Sequence, residues 1–126
     1  MVSPPLAVGE DVAGLVDLAR PQLALYFGGM GARGRNFHHD LARRHGYGSE
    51  AATVQDLYLS GRKDAAAAAV PADLLRATFR IGPAGHVAER LAAFRAAGVT
   101  TLQVRPPASA AAQRLRDIER LKAMVS

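Results

Sequence analysis

The chain has 126 residues, about one domain's worth, and 49% of them are hydrophobic, which places it with globular rather than disordered proteins. It has no cysteine, so disulfides and thiolate metal sites are excluded; no apolar run reaches the roughly 18 residues that span a bilayer, and Met1-Val2-Ser3-Pro4-Pro5 lacks the basic start of a signal peptide. The net charge of +5 raises the question of a nucleic-acid surface, but basic residues alternate with acids, as from Arg114 to Arg120, in the manner of a solvated helix face.

These features predict a cytoplasmic protein with neither nucleic acid nor membrane as partner. Much of the hydrophobic fraction is alanine, and the large side chains are few: no Trp, four Phe and three Tyr. The core is therefore expected to be thin.

From about residue 10 to 77 the periodicity is helical. Val12, Leu15, Val16 and Ala19 share one helix face, and Pro21 either kinks that helix or opens the next at its first turn. A glycine-rich loop, Gly28 to Gly34, follows. Asn36 to His45 reads as a short helix stopped by Gly46 and Gly48. Ser49 suits the N-cap of a further helix with Val54, Leu57 and Tyr58 on one face. Gly61 interrupts it, the alanine run Ala65 to Ala69 resumes helix, and Pro71 opens one more.

Over 78–126 the pattern becomes strand–helix–strand–helix. Thr78 to Ile81 is a short strand, and His86 to Ala97 an amphipathic helix with Gly98 at its C′ position. Val99 to Val104, rich in β-branched residues, is the best strand in the chain. After Pro106-Pro107, Ser109 suits the N-cap of a last helix carrying Leu115, Ile118, Leu121 and Val125. Strands and helices alternating over short links predict an α/β fold with a parallel sheet.

Three features invite a functional reading. Gly29-Met30-Gly31-Ala32-Arg33-Gly34 fits the dinucleotide fingerprint, and Leu23 to Phe27 before it has strand-like composition, with Glu50 and Asp56 as candidate ribose acids. The helical run that follows lacks the second strand such a unit needs, so a glycine loop between helices is the competing reading. His38, His39, Asp40 and His45 contain no H-x-x-x-H pair, and no metal site is expected. Arg105 directly follows the best strand, where a guanidinium suits an anionic group; an exposed loop arginine is the alternative.

The segments Ala24 to Gly31, Asn36-Phe37-His38, Asp40 to Arg43, Gly46-Tyr47, Gln55 to Leu59, Gly61-Arg62-Lys63, Val70-Pro71, Ile81-Gly82-Pro83, Val87, Arg90-Leu91 and Ala97 to Leu102 together resemble the luciferase-like monooxygenases, in particular the subgroup using the deazaflavin coenzyme F420. The resemblance implies the C-terminal part of a (β/α)8 TIM barrel: the last two βα units, with Thr78–Ile81 as strand seven and Val99–Val104 as strand eight, preceded by a helical insertion. Such a barrel takes about 250 residues. It further implies hydride transfer with F420, or FMN as the alternative coenzyme, on a small-molecule substrate.

The family's coenzyme and catalytic residues belong mainly to strands with no counterpart here. The chain by itself is therefore expected to be inactive and no catalytic residue is carried over. Met30, Arg33 and Asn36 of the glycine loop, with Arg105, are the candidate pocket or anion contacts. An incomplete parallel sheet also leaves open edges, so self-association or pairing with the missing barrel half is expected. A non-catalytic interaction module is the alternative from another class.

Overall fold

The computed structural model describes residues 5–126. Among them the chain forms β1 (Leu6–Val8), α1 (Val12–Asp17), α2 (Arg20–Gly29), α3 (Phe37–Arg44), α4 (Gly48–Leu59), α5 (Lys63–Ala69), α6 (Ala72–Thr78), β2 (Arg80–Gly82), α7 (Ala84–Ala96) and α8 (Ala111–Val125). Two compact units emerge: a helical one, Ala19–Leu75, and an α/β one joining the chain up to Leu18 to Arg76–Ser126.

The helical unit is held by small residues and backbone caps. Pro21 opens α2 in its first turn, where a missing N–H costs nothing. α2 and α4 approach so closely that a Cβ added at Gly28 would lie 2.3 Å from the Cβ of Tyr58. Leu23, Ala24 and Phe27 of α2 are buried, as are Ala51 and Val54 of α4 and Ala66 of α5. Alanine contributes little area, but it lets helices pack backbone to backbone. The Arg20 guanidinium donates to the carbonyl of Val70, tying the start of α2 to the end of α5.

Leu23 to Phe27, strand-like in composition, lies in α2: no strand among the described residues offers it a ladder, and the helix pairs its backbone groups locally. At α4 the N-cap is Tyr47, not Ser49, which falls in the first turn and donates to Glu50 at 2.8 Å. The Tyr47 hydroxyl donates to Asp73 at 3.1 Å, and that hydrogen bond pushes the phenol above its ordinary pKa.

In the α/β unit β1 and β2 are parallel, with Leu6 opposite Arg80, Ala7 opposite Ile81 and Val8 opposite Gly82. Leu6, Ala7 and Val8 are all buried, the burial of a parallel strand covered on both faces. Leu6 and Val8 join Val87, Leu91 and Leu121 in one core cluster, completed by Leu102, Val104 and Met124. Here the expected elements need correction. The central strand lies before residue 10, where none was expected, because three apolar residues show no periodicity.

The first predicted strand starts two residues later, at Arg80, since Thr78 ends α6. Val99 to Val104 forms no continuous strand. Leu102 and Arg105 make single bridges, and Arg105 pairs with Pro5 beside β1 rather than with β2. Leu102 and Val104 of this segment nonetheless pack against the core. No barrel is closed by the described residues; they form a two-stranded sheet within a mostly helical chain.

Gly98, with φ of 81°, is the expected C′ glycine of α7. α8 is capped at Ala110, without a side-chain bond, in place of Ser109. Its packed face also differs from expectation. Leu121 is buried and Ile118 half-buried, whereas Leu115 and Val125 are exposed. Asp117, placed by its charged neighbours on a solvated face, is 1% exposed.

Arg80 carries a second buried charge, at 3% exposure, facing the helices. Its guanidinium lies 3.8 Å from the centre of the Phe94 ring and donates to the Thr78 carbonyl at 3.1 Å. Burial, and then the charge of Arg90, pulls its pKa down to about 10.

Candidate functional site

In open α/β sheets ligands gather beyond the carboxyl ends of the strands. Here β1 ends at Val8, and the chain turns through Gly9 and Glu10 to Asp11, whose carboxylate accepts from the Gly14 N–H at 3.1 Å and caps α1. Beyond the Arg105 bridge the chain passes Pro107 and Ala108 before entering α8. Between these ends lies a cavity of about 310 Å³, within the α/β unit. Val8, Leu15, Leu18, Pro107 and Ala108 supply apolar walls. Glu10, Asp11, Gln113, Asp117 and Arg120 supply the polar groups.

The polar wall is ordered. Arg116 donates to the Gln113 Oε1 from Nε (3.2 Å) and Nη2 (2.7 Å), and Gln113 Nε2 donates to Asp117 Oδ1 at 2.9 Å. Arg120 donates to the Val8 carbonyl at 3.1 Å, across 112 residues of sequence, and pins α8 to the end of β1. A second cavity, of about 450 Å³, lies between α7 and α8 and is lined mainly by Leu91, Phe94, Leu102, Leu121 and Met124. It is the larger, but Arg95 is the one charged side chain in its lining, against Glu10, Asp11, Asp117 and Arg120 at the strand ends. The cavity at the strand ends is the better candidate for chemistry.

The residues singled out from the sequence divide between the two units. Met30 is exposed at the end of α2. Arg33 is exposed and ion-paired with Asp56. Asn36, 2% exposed, is fully committed to the backbone: Nδ2 donates to the carbonyls of Tyr26 and Phe27, each at 2.8 Å, and Oδ1 accepts from the His39 N–H at 3.1 Å. It closes α2 and caps α3 in one stroke. Arg105, in the α/β unit, accepts from the Leu6 N–H with its backbone carbonyl at 3.2 Å, while its side chain is exposed.

The glycine loop has local explanations. Gly28 and Gly29 admit the Tyr58 ring, a Cβ at Gly31 would meet the Arg35 carbonyl at 2.4 Å, and Gly34 has a φ of 73°. The histidine cluster gathers no metal set: among the described residues no group of three or more His, Cys, Asp or Glu is arranged to hold an ion. His38 instead stacks on Tyr26, ring centroids 4.6 Å apart. The cavity's own groups, Glu10, Asp11, Gln113, Asp117 and Arg120, were missed. No signal marked them: Asp117 shares its helix face with Gln113, Arg114 and Arg120 as well as Leu121, the pattern of a solvated face.

Comparison with known proteins adds the following. The sequence model of a family described as luciferase-like monooxygenase matches residues 1–101. A Mycobacterium tuberculosis protein named "putative coenzyme F420-dependent oxidoreductase" is 39% identical over 116 residues, which cover 92% of this chain and 33% of that protein. The chain thus spans about a third of the length of the curated relative it matches. No solved structure matches it significantly.

Proposed function

The chain belongs to the luciferase-like monooxygenase family, and from that premise we propose that it serves an F420-dependent oxidoreductase that moves hydride to or from a small-molecule substrate. The observation that carries this reading is the 39% identity, over 92% of the chain, to a relative named for F420. That name favours F420 over FMN. In this reading the parallel strands are part of a (β/α)8 barrel, and the cavity at their carboxyl ends lies on the substrate side of its mouth.

The cavity does not fit the coenzyme itself. F420 carries a phosphate, whereas the cavity presents three carboxylates, Glu10, Asp11 and Asp117, against the single guanidinium of Arg120, which already donates to Val8. The field has the wrong sign for an anion. The exposed Arg105 guanidinium is the better anion contact, and it is assigned that role here. No chemical step is therefore routed through the groups of this cavity.

Two measurements test the proposal. Titrating the purified chain with F420 and with FMN should show no saturable binding, the coenzyme site being made by other strands. Substituting the chain for the matching 116-residue region of the M. tuberculosis relative should give a folded chimera that still binds and turns over F420. A folded chimera without F420 binding would remove the redox reading. In an active chimera, Arg105→Ala should weaken binding of the anionic partner by about 1.5–3 kcal/mol. Unfolding should be unaffected, because Arg105 pairs with β1 through its backbone. Self-association through the open sheet edge is also expected, and sedimentation over a concentration series measures it.

A further inference from the structure

We propose that the cavity at the strand ends receives a protonated amine carried on a short apolar body, a specificity that rests on reading this cavity as the substrate side of the site. The central group is Asp117. It lines the cavity, is 1% exposed, and accepts one hydrogen bond, from a neutral amide. A carboxylate has about four acceptor positions, and a buried one is stable only when these are filled or its charge is paired.

The surroundings keep it in that state. Arg116 holds the Gln113 oxygen from the far side, so the amide must present its NH₂ to Asp117. Arg120, one turn further along α8, donates to the Val8 carbonyl rather than to Asp117. Glu10 and Asp11 add negative charge to the same lining, with Asp11 fixed by its capping bond to Gly14. An ammonium group entering here gains both the missing donor and the favourable field, and an anion meets repulsion from all three carboxylates. Leu15, Leu18, Pro107 and Ala108 leave the rest of the volume to a few methylenes.

The probes are n-butylammonium, n-butyrate and n-butanol at matched ionic strength, added to the ¹⁵N-labelled 126-residue chain and followed by NMR. Butylammonium should shift the Gln113 side-chain amide and the Gly9 backbone amide saturably. Butanol should bind more weakly and butyrate not at all. Asp117→Asn should weaken butylammonium binding by about ten-fold or more, the size of a lost hydrogen bond to a charged group. Glu10→Gln, an exposed change that leaves the core intact, should weaken it by about two- to three-fold.

Absence of saturable shifts with butylammonium, butyrate binding as tightly, or unchanged affinity in a folded Asp117→Asn chain would each overturn the proposal. If Asp117→Asn does not fold, Glu10→Gln and the butyrate comparison decide. No coenzyme enters this experiment. Failure here with an active F420 chimera rejects the amine specificity alone, and ammonium binding with a folded chimera that cannot bind F420 rejects the redox reading alone.

Discussion

The helical unit and the α/β unit are built from opposite materials. In Ala19–Leu75 the chain packs through alanine and glycine faces over separations of up to 50 residues, as Arg20 reaches Val70, and Asn36 serves the backbone of Tyr26, Phe27 and His39 within 10 residues. In the other unit the decisive contacts join the two ends of the sequence: Leu6 to Arg105, and Val8 to Arg120. The first kind closes loops of at most about fifty residues, and the second closes loops of about a hundred, at a larger cost in chain entropy. The cavity therefore sits in the unit whose assembly depends on the whole chain being in place.

The largest effect should come from the α/β core. Leu6 is completely buried in the central strand, and Leu6→Ala should cost about 3 kcal/mol, read from denaturant unfolding. Hydrogen exchange should then accelerate in β1, β2 and α7 while α2 to α4 keep their protection. Uniform acceleration would show that the two units unfold as one and break the comparison.

Next is the cap. Asn36→Ala strands two carbonyls and one N–H that the side chain now serves, and should cost about 2–3 kcal/mol, with exchange accelerating first at the junction of α2 and α3. Protection lost in β1 instead would contradict the local character of this unit.

Gly28→Ala sets two effects against each other. Alanine favours helix by about 1 kcal/mol, but its Cβ would collide with Tyr58, and overpacking costs about 1–3 kcal/mol. The clash should win, giving a net loss of about 1–2 kcal/mol. In a Tyr58→Ala background the same change should become neutral or stabilising, and thermal melts of the four chains give the coupling. At the small end, Arg33→Ala removes an ion pair whose side chains are 60% and 63% exposed. It should change stability by less than about 0.5 kcal/mol, and a larger loss would mean that the glycine loop relies on that pair.

The helical unit was largely legible because its determinants are local. The order of its helices and the stops at Gly46 and Gly61 follow from residues within a turn or two of each other, whereas Asn36, expected as a pocket contact, is a cap. The family was legible for a related reason: it is carried by many short segments spread through the chain, no one of which needs the fold to be known.

The sequence by itself also determined a short strand at Ile81 and the helices on either side of Val99–Val104, because these patterns act over a few residues at a time. Only the tertiary structure decided that Leu6–Val8 is the central strand, that Arg105 pairs beside it, and that Asp117 is buried. A three-residue strand has no period to read, and a parallel pair has no turn to announce it. The burial of a helix residue depends on which face another part of the chain comes to cover. The cavity's polar groups, Glu10 and Asp11 near one end of the chain and Gln113, Asp117 and Arg120 near the other, became a site only when β1 took α8 onto its face.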